Sequence, residues 1–569
     1  MKILSVYPWT HISSSALTLN GKIVSAAAEE RFNRIKWSTE FPNQSANWCL
    51  EKNNLQWKDL DMIVVPWNPA LNINSTSNRW DNHLFWRGQM LSHIPSRILK
   101  SLNSTAPESM EIKFSKTKII YLNHHDCHAA SAVLVSPFKN CDYLSIDGHG
   151  ETETCISGYF KSNNFVKTNS ISYPHSVGLL YGTFTDFLGF KPDNDEWKTM
   201  ALASYATKKN LYDAKMKKIY KFVESGFELD LSYFDFYHFD KKPNFYNEKL
   251  VKLFGKPRQK NKQISKRHFQ IAGALQRAFE QIVLHLIYIT KKLGGNSNNI
   301  TLVGGAAMNC VFNGFLEQKK IYKNKFIPPW PDDLGVSIGA CLLANHKYGR
   351  KIHKPKKDCP VYLGPSYSNS TILNLLKKYN LNYTKPNNLF KYVAEKLAKG
   401  KLVGWFQDEM EFTHRALGNR SILADPRKAK TKDKVNLAVK YRENFRPFAP
   451  AVLEQYAHKI FNIKKNLEIK FMEKAVFVKK KWKNKIPATI HTDGTARVQT
   501  VNKNFNKKFY NLISEFNNIT GIPVLLNTSF NLNGEPIVKS PTDAIRTFHS
   551  CGLDILVLQD YVIEKNEKL

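Results

Sequence analysis

Residues 123–132 read Asn-His-His-Asp-Cys-His-Ala-Ala-Ser-Ala, with His124 and His128 four apart at the start of a run of small, helix-favouring residues. On a helix that spacing stacks two imidazoles on one face, which is half of a first-row metal site. Asp147 follows in Tyr-Leu-Ser-Ile-Asp-Gly-His-Gly-Glu, where an apolar strand runs into a glycine-rich turn. A strand-end Asp beside Gly148 and Gly150 can hold a metal while backbone amides meet phosphate. A histidine pair alone is ordinary on an amphipathic helix; the order His-x-x-x-His and then Asp-Gly-x-Gly points to a metal–nucleotide site. No Glu follows the first His, so this is not a zinc-protease helix.

A second constellation lies in the C-terminal part. Thr-His-Arg-Ala-Leu-Gly-Asn-Arg-Ser-Ile-Leu-Ala-Asp-Pro-Arg spans 413–427, Val-Lys-Tyr-Arg-Glu-Asn-Phe-Arg-Pro-Phe-Ala-Pro spans 439–450, and Leu-Leu-Asn-Thr-Ser-Phe-Asn spans 525–531. Arg415, Arg420, Lys440 and Arg446 sit among apolar and Pro residues, where a cation needs an anion because unpaired burial is costly. Asn527 and Ser529 follow an apolar strand and could complete an oxyanion or phosphate cradle. Asp408, Glu409, Glu411 and Glu443 are the competing salt-bridge partners. Three clusters together favour an anion pocket, with Arg giving bidentate recognition and Lys a point charge.

These groups need strands and helices to hold them. Residues 2–6 read as a buried strand, and Asn20-Gly21 between apolar-rich segments predicts a hairpin, because both residues tolerate positive φ. Strands are expected at 118–122, 141–148 and 299–305. The last of these, Ile-Thr-Leu-Val-Gly-Gly, runs into Ala-Ala-Met-Asn-Cys-Val, so Gly304 and Gly305 would offer amides to a phosphate or ribose. An Asp-x-Gly segment follows at 333–335 before another helix. Segments 71–116 and 206–268 read as peripheral, the latter as an insertion or helical lobe over the core. The basic, Pro-containing run at 346–360 reads as a linker between a domain over 1–345 and a second α/β domain over 361–569.

At 569 residues the chain is too long for one core, and 42% hydrophobic content with 12% aromatics argues for packed domains. The net charge of +35 is spread along the chain rather than concentrated. It therefore fits attraction of small anions better than a nucleic-acid surface. Eight cysteines without a Cys-x-x-Cys pair suggest a reducing cytoplasm rather than a disulfide framework. Pro8 and His11 interrupt any signal-peptide core, and no apolar stretch approaches the roughly 20 residues of a membrane span.

Taken together the motifs resemble the O-carbamoyltransferases of the nodulation protein U and cephalosporin carbamoyltransferase type. The resemblance includes Glu-Glu-Arg-Phe-Asn-Arg-Ile-Lys at 29–36, the His-rich and Asp-Gly motifs, His-Ser-Val-Gly-Leu-Leu-Tyr at 175–181 and Glu-Trp-Lys-Thr-Met-Ala-Leu-Ala-Ser-Tyr at 196–205, together with the three C-terminal clusters. It implies an α/β fold: an N-terminal actin-like (ASKHA, TsaD-like) two-lobed domain followed by a YrdC-like α/β domain. It implies a reaction in which carbamoyl phosphate and ATP give a carbamoyl-adenylate that carbamoylates a hydroxyl group.

By motif matching, His124, His128, Asp147 and Asp333 would ligate a divalent metal, commonly Fe2+ in relatives, with Mn2+ or Zn2+ as alternatives. His125 competes with His124, and Asp332 with Asp333. Arg415, Arg420, Lys440, Arg446, Asn527 and Ser529 would bind carbamoyl phosphate, and Gly148, Gly150, Gly304, Gly305 and Asn309 the nucleotide. His11 matches the family's candidate base for the acceptor hydroxyl, as an imidazole suits that task; a turn-capping role is the alternative. Lys36 matches a family lysine near the active site. Ile12 departs from the Asp common after the first His, on the acceptor side. The expected acceptor is an antibiotic-like small molecule or glycan, and a homodimer is compatible. The competing functions are tRNA threonylcarbamoyl-type modification, for which the carbamoyl phosphate motifs would be superfluous, and a non-catalytic nucleotide-binding scaffold.

Overall fold

The computed structural model describes residues 1–71, 117–237, 244–349, 354, 359–443 and 445–565. The expected peripheral segment 71–116 therefore lies almost wholly outside the described residues, as does most of the expected linker at 346–360. The helix Val336–Tyr348 runs into the start of that linker. The chain forms two compact units dividing between Cys359 and Pro360, and the second also takes in Glu30–Ser38 and Cys310–Phe315.

The first unit contains two five-stranded sheets. Lys2–Tyr7 (β1), Ser14–Leu19 (β2), Lys22–Ala28 (β3), Met62–Val65 (β4) and Lys118–Tyr121 (β5) order as β3-β2-β1-β4-β5. The β1–β2–β3 meander is antiparallel, whereas β4 and β5 add in parallel. Asn20 and Gly21 have φ of 50° and 80°, the left-handed pair that closes the expected hairpin.

Cys141–Ile146 (β6), Glu153–Lys161 (β7) and Asn164–Ser172 (β8) form a second antiparallel meander. Tyr220–Val223 (β9) and Gly226–Leu229 (β10) form a separate hairpin, while Asn299–Val303 (β11) and Asn324–Phe326 (β12) extend β6 in parallel. The second order, β12-β11-β6-β7-β8, repeats the first. This duplicated plan, a three-strand meander extended by two parallel strands, is the actin-like architecture expected. The 206–268 lobe is mixed rather than helical: it carries the β9–β10 hairpin as well as the helices Leu211–Met216 and Glu248–Phe254.

The duplication sets up the site. In each repeat a helix follows the fifth strand, His124–Val133 after β5 and Val336–Tyr348 after β12. Gly339 is where these two helices meet, since a Cβ there would stand 1.9 Å from the Cys127 carbonyl oxygen. Close packing through a missing Cβ brings the start of one helix, with Asp333, to the start of the other, with His124 and His128.

In the second unit, seven strands order as β18-β15-β19-β14-β13-β20-β21. They are Val403–Phe406 (β13), Arg420–Ala424 (β14), Ala449–Leu453 (β15), Gln499–Val501 (β18), Val524–Ser529 (β19), Ile555–Leu558 (β20) and Tyr561–Glu564 (β21); Ala475–Phe477 (β16) and Thr495–Arg497 (β17) pair separately. Period-two alternation divides the apolar residues between two cores: Trp405, Leu423 and Val557 belong to one, while Phe406, Ile422, Leu556 and Leu558 belong to the other.

All eight cysteines are buried. Among the described residues no helix is long and apolar enough to cross a membrane. Replacing Gly339 by Val should overpack the helix crossing and cost roughly 1–3 kcal/mol; thermal unfolding should show a lowered midpoint, with a larger loss than for Gly339→Ala.

Candidate metal centre and anion site

In the first unit, His124, His128, Asp147 and Asp333 each offer one ligand atom, and these atoms lie within 4.8 Å of one another. The two Nε2 atoms are 3.0 Å apart. Asp147 Oδ2 stands 2.8 Å from His128 Nε2 and 3.4 Å from His124 Nε2, while Asp333 Oδ1 is 3.4 Å and 3.3 Å from the same atoms. Both imidazoles are buried.

Burial opposes protonation of His124, but the carboxylates of Asp333 and Asp147 outweigh it and hold the imidazole well above its ordinary value. Asp147 resists the upward push of burial and is held well below the carboxylate range by the two histidines. The carboxylates thus demand positive charge at the point where the Nε2 lone pairs converge. A divalent cation meets that demand without crowding two protons between imidazoles, and two N and two O donors suit Fe2+, Mn2+ or Zn2+ better than Ca2+. The residues fit a metal.

The supports of this cluster give each ligand its orientation. His124 Nδ1 lies 3.3 Å from the Pro66 carbonyl oxygen, an arrangement that directs its Nε2 lone pair at the cluster. Tyr7, at the end of β1, donates its hydroxyl to Asp333 Oδ2 at 2.9 Å. Glu151 accepts the His124 amide at 2.9 Å and the Asn68 amide at 2.7 Å, placing a carboxylate at the helix N-terminus. Tyr7 and Glu151 were not singled out in the sequence; Glu151 was visible as the end of the Asp-Gly-His-Gly-Glu motif, whereas Tyr7 had no local signal.

The competing ligands are engaged elsewhere. His125 bonds with Ser145 Oγ at 2.9 Å and the Glu153 carbonyl at 3.0 Å, and burial beside two other imidazoles pushes it down to about 3. Asp332 stands outside the cluster.

The glycines serve this centre more than they serve a phosphate. Asp147 Oδ1 accepts the amides of Gly148 at 2.8 Å and Gly305 at 3.1 Å. The Gly304 amide donates to the Pro331 carbonyl at 2.6 Å and that of Gly150 to Glu153 at 2.7 Å. A Cβ at Gly305 would stand 2.8 Å from Asp147 Oδ1, and one at Gly150 2.9 Å from the His125 ring. These amides, expected to face phosphate, are spent on protein acceptors; of the four expected nucleotide-binding glycines, Gly148 alone borders open space. Asn309 pairs with the Gln276 amide, donating at 2.9 Å and accepting at 3.2 Å. His11 is half-buried in the turn after β1, and Ile12 beside it is fully buried.

In the second unit the cations separate into different roles. Arg420 does not face an anion: it is fully buried, lies 3.6 Å above the Phe406 ring, and donates to backbone carbonyls including Pro365 at 2.8 Å and Asn419 at 3.0 Å. It corrects the sequence expectation, because this buried guanidinium directs both Nη atoms at carbonyl oxygens that no motif reveals. Lys440 is likewise clamped, its Nζ donating to the carbonyl oxygens of Ser529 (2.6 Å) and Asn531 (2.9 Å). Asn527 donates to the Ala416 carbonyl at 3.1 Å and Gln499 Oε1 at 2.9 Å.

Other cations are neighbours of these. Arg446 pairs with Glu443 at 3.2 Å, and Arg415 donates to the carbonyls of Phe471 at 3.1 Å and Met472 at 2.9 Å. Arg442 and Arg497, absent from the sequence expectation, have no carboxylate partner among the described residues. Burial, Arg442, Arg446 and Lys36 all push Lys440 well below its usual value. Burial, then Arg446 and Arg497, depress Arg442; burial and Arg415 bring Arg497 down to about 10. Cations that depress one another in this way suit an anion. Arg442 stood inside a quoted motif; Arg497, on β17, carried no signal of its own. The π-helical turn Asn436–Lys440 and the left-handed Tyr441, φ 44°, aim this segment.

Residues 2–342 match the Carbamoyltransferase N-terminus family and 394–565 the Carbamoyltransferase C-terminus family. An uncharacterized protein of Synechocystis, sll1178, is 34% identical over 99% of this chain and 96% of its own. Nodulation protein NolNO of Sinorhizobium fredii is 33% identical over 98% of this chain and 79% of its own. A solved structure, the activator of 2-hydroxyisocaproyl-CoA dehydratase from Clostridium difficile, shares 13% identity over 61% of this chain and 95% of its own, with a TM-score of 0.32. The site and the fold thus sit in a two-part α/β transferase. The chain belongs to the carbamoyltransferase family.

Asp147→Asn should abolish stoichiometric binding of one divalent cation, measured by elemental analysis after dialysis, and leave the folded state intact. An anion stabilises protonated Lys440 and so raises its depressed pKa. Phosphate binding should therefore take up protons, and affinity should fall as pH rises through the free-state value; calorimetry in buffers of different ionisation enthalpy checks the sign.

Proposed function

We propose that the protein is an O-carbamoyltransferase that uses carbamoyl phosphate and ATP to carbamoylate a hydroxyl of a small molecule, natural product or saccharide. The observation that carries this reading is a run of neighbouring cations, Arg442 and Arg446 against clamped Lys440 and Arg497 against Arg442, a cationic group suited to a phosphate ester. Family membership supports carbamoyl transfer in general; the co-substrates and the acceptor class are inferred from the chemistry of the two sites.

The guanidinium groups would grip the phosphate of carbamoyl phosphate and offset charge as water attacks the carbamoyl carbon and its bond to the phosphate oxygen breaks, leaving carbamate and inorganic phosphate and releasing one proton to solvent. The carbamate oxygen would then attack the α-phosphorus of ATP, releasing pyrophosphate and forming carbamoyl-adenylate. The acceptor hydroxyl would attack the carbamoyl carbon, expelling AMP, with the proton passing to His11. His124, His128, Asp147 and Asp333 would hold Fe2+, with Mn2+ or Zn2+ as alternatives, which when bound would supply Lewis-acid polarisation of a phosphate or carbonyl oxygen. Tyr7 and Glu151 would keep the ligands aligned.

Incubation with ATP, labelled carbamoyl phosphate and a metabolite extract should give phosphate, pyrophosphate and AMP, together with a product heavier by one carbamoyl group. ADP formation, or phosphate release without AMP, would contradict the adenylate route. His11→Ala should lower transfer by roughly 100-fold or more, the scale of a lost general base, while carbamoyl phosphate-dependent pyrophosphate release persists.

A further inference from the structure

The second unit includes nine residues from the front half of the chain, Glu30–Ser38, directly after β3. This segment is held in an unusual shape. Arg34 and Trp37 have φ of 61° and 57°, left-handed values that cost bulky residues free energy. Internal bonds fix that shape: Trp37 N donates to Glu30 Oε2 at 2.9 Å, Arg34 N to the Glu30 carbonyl at 3.1 Å, and Asn33 Nδ2 to Ser38 Oγ at 2.7 Å.

From this fixed loop, side chains reach two other loops. Arg34 donates Nη1 to the Ile537 carbonyl at 2.7 Å and Nη2 to that of Pro536 at 2.8 Å. Phe32 lies beneath Lys539, whose Nζ is 4.3 Å from the ring centroid. Both contacts fall on the stretch after β19 that includes Asn531, one of the two residues that clamp Lys440. On the other side, Arg31 Nη2 donates to the Thr413 carbonyl at 3.2 Å, with its Nη1 paired to Glu30 at 2.8 Å. Trp37 packs on His414 with ring centroids 5.1 Å apart. Thr413 and His414 immediately precede Arg415. Lys36, between these two grips, adds its charge to the field that depresses Lys440.

We infer that Glu30–Ser38 is a positioning clip for the anion site: it fixes the Arg415 loop with one hand and the 531–539 loop with the other, and so sets the spacing of the cations that receive the phosphate. Arg31, Arg34 and Trp37 are positioning residues and touch no ligand. The mutually repelling cations explain the need for such a clip. Without an anion, Lys440, Arg442 and Arg446 favour moving apart, and bonds to fixed carbonyl oxygens on both loops oppose that spreading. The inference rests on reading the cationic cluster as an anion site.

The test uses the full chain with inorganic phosphate and carbamoyl phosphate as probes, measured calorimetrically at least 15 °C below the unfolding midpoint of each variant. Arg497→Gln is the control for the reading itself and should lose phosphate binding at least tenfold. Arg34→Ala and Trp37→Ala should each weaken phosphate at least tenfold. Divalent-cation binding at the His–Asp cluster should be unchanged, and Trp37→Phe should restore most of the affinity. In turnover, the loss should appear in KM for carbamoyl phosphate more than in kcat.

If Arg497→Gln binds phosphate like the wild type, the anion-site reading falls. If Arg497→Gln loses binding but folded Arg34→Ala and Trp37→Ala keep wild-type affinity, the clip falls alone. Should Arg34→Ala fail to fold, Trp37→Ala against Trp37→Phe decides the matter.

Discussion

Two buried imidazoles approach with Nε2 atoms 3.0 Å apart, and two carboxylates face the same point. The architecture of the first unit follows from holding that arrangement. Neither a lone proton nor water satisfies all four groups equally, whereas a small divalent cation fits the donor set. The duplicated sheets supply the geometry: each repeat ends in a helix, and the two helices meet through Gly339, so one contributes both histidines and the other is preceded by Asp333. Asp147 arrives from the end of β6, fixed by the amides of Gly148 and Gly305. Four ligands from three separate chain segments are thus delivered by a fold that repeats its own plan.

The second unit poses the opposite electrostatic problem. There the charge in excess is positive, and the protein spends some cations on its own backbone in order to place others. Arg420, through its two Nη atoms, and Lys440 are held by carbonyl oxygens and act as struts. Arg442 keeps an unpartnered Nε and is depressed by Arg446 and Arg497, while Arg497 is depressed by burial and Arg415. A donor set suited to a metal and a cationic group suited to phosphate, in one chain of the carbamoyltransferase family, are the two features on which the proposed function rests.

Much of this was legible in residue spacing. His-x-x-x-His and Asp-Gly-x-Gly sit in the sequence as they act in space, because short-range helix and turn geometry fixes them, and Asn20-Gly21 announced its hairpin for the same reason. What was not legible depends on partners distant in the chain. Tyr7 meets Asp333 across 326 positions, and Arg420 finds its carbonyls only after β13 and β14 pair. The glycines were read as phosphate-facing because their local pattern permits it; the close approach of β11 to β6 commits Gly304 and Gly305 to the Asp147 loop instead. Arg497 sits in Ala-Arg-Val, a triplet with no chemical signature until the fold sets it beside Arg415.

Anomalous diffraction from crystals of the full chain loaded with Mn2+ tests the central claim most directly. The account predicts one strong peak between His124 and His128, about 2.0–2.3 Å from both Nε2 atoms and from one oxygen each of Asp147 and Asp333. A peak bound elsewhere, or none while the two imidazoles remain in direct contact, would contradict it.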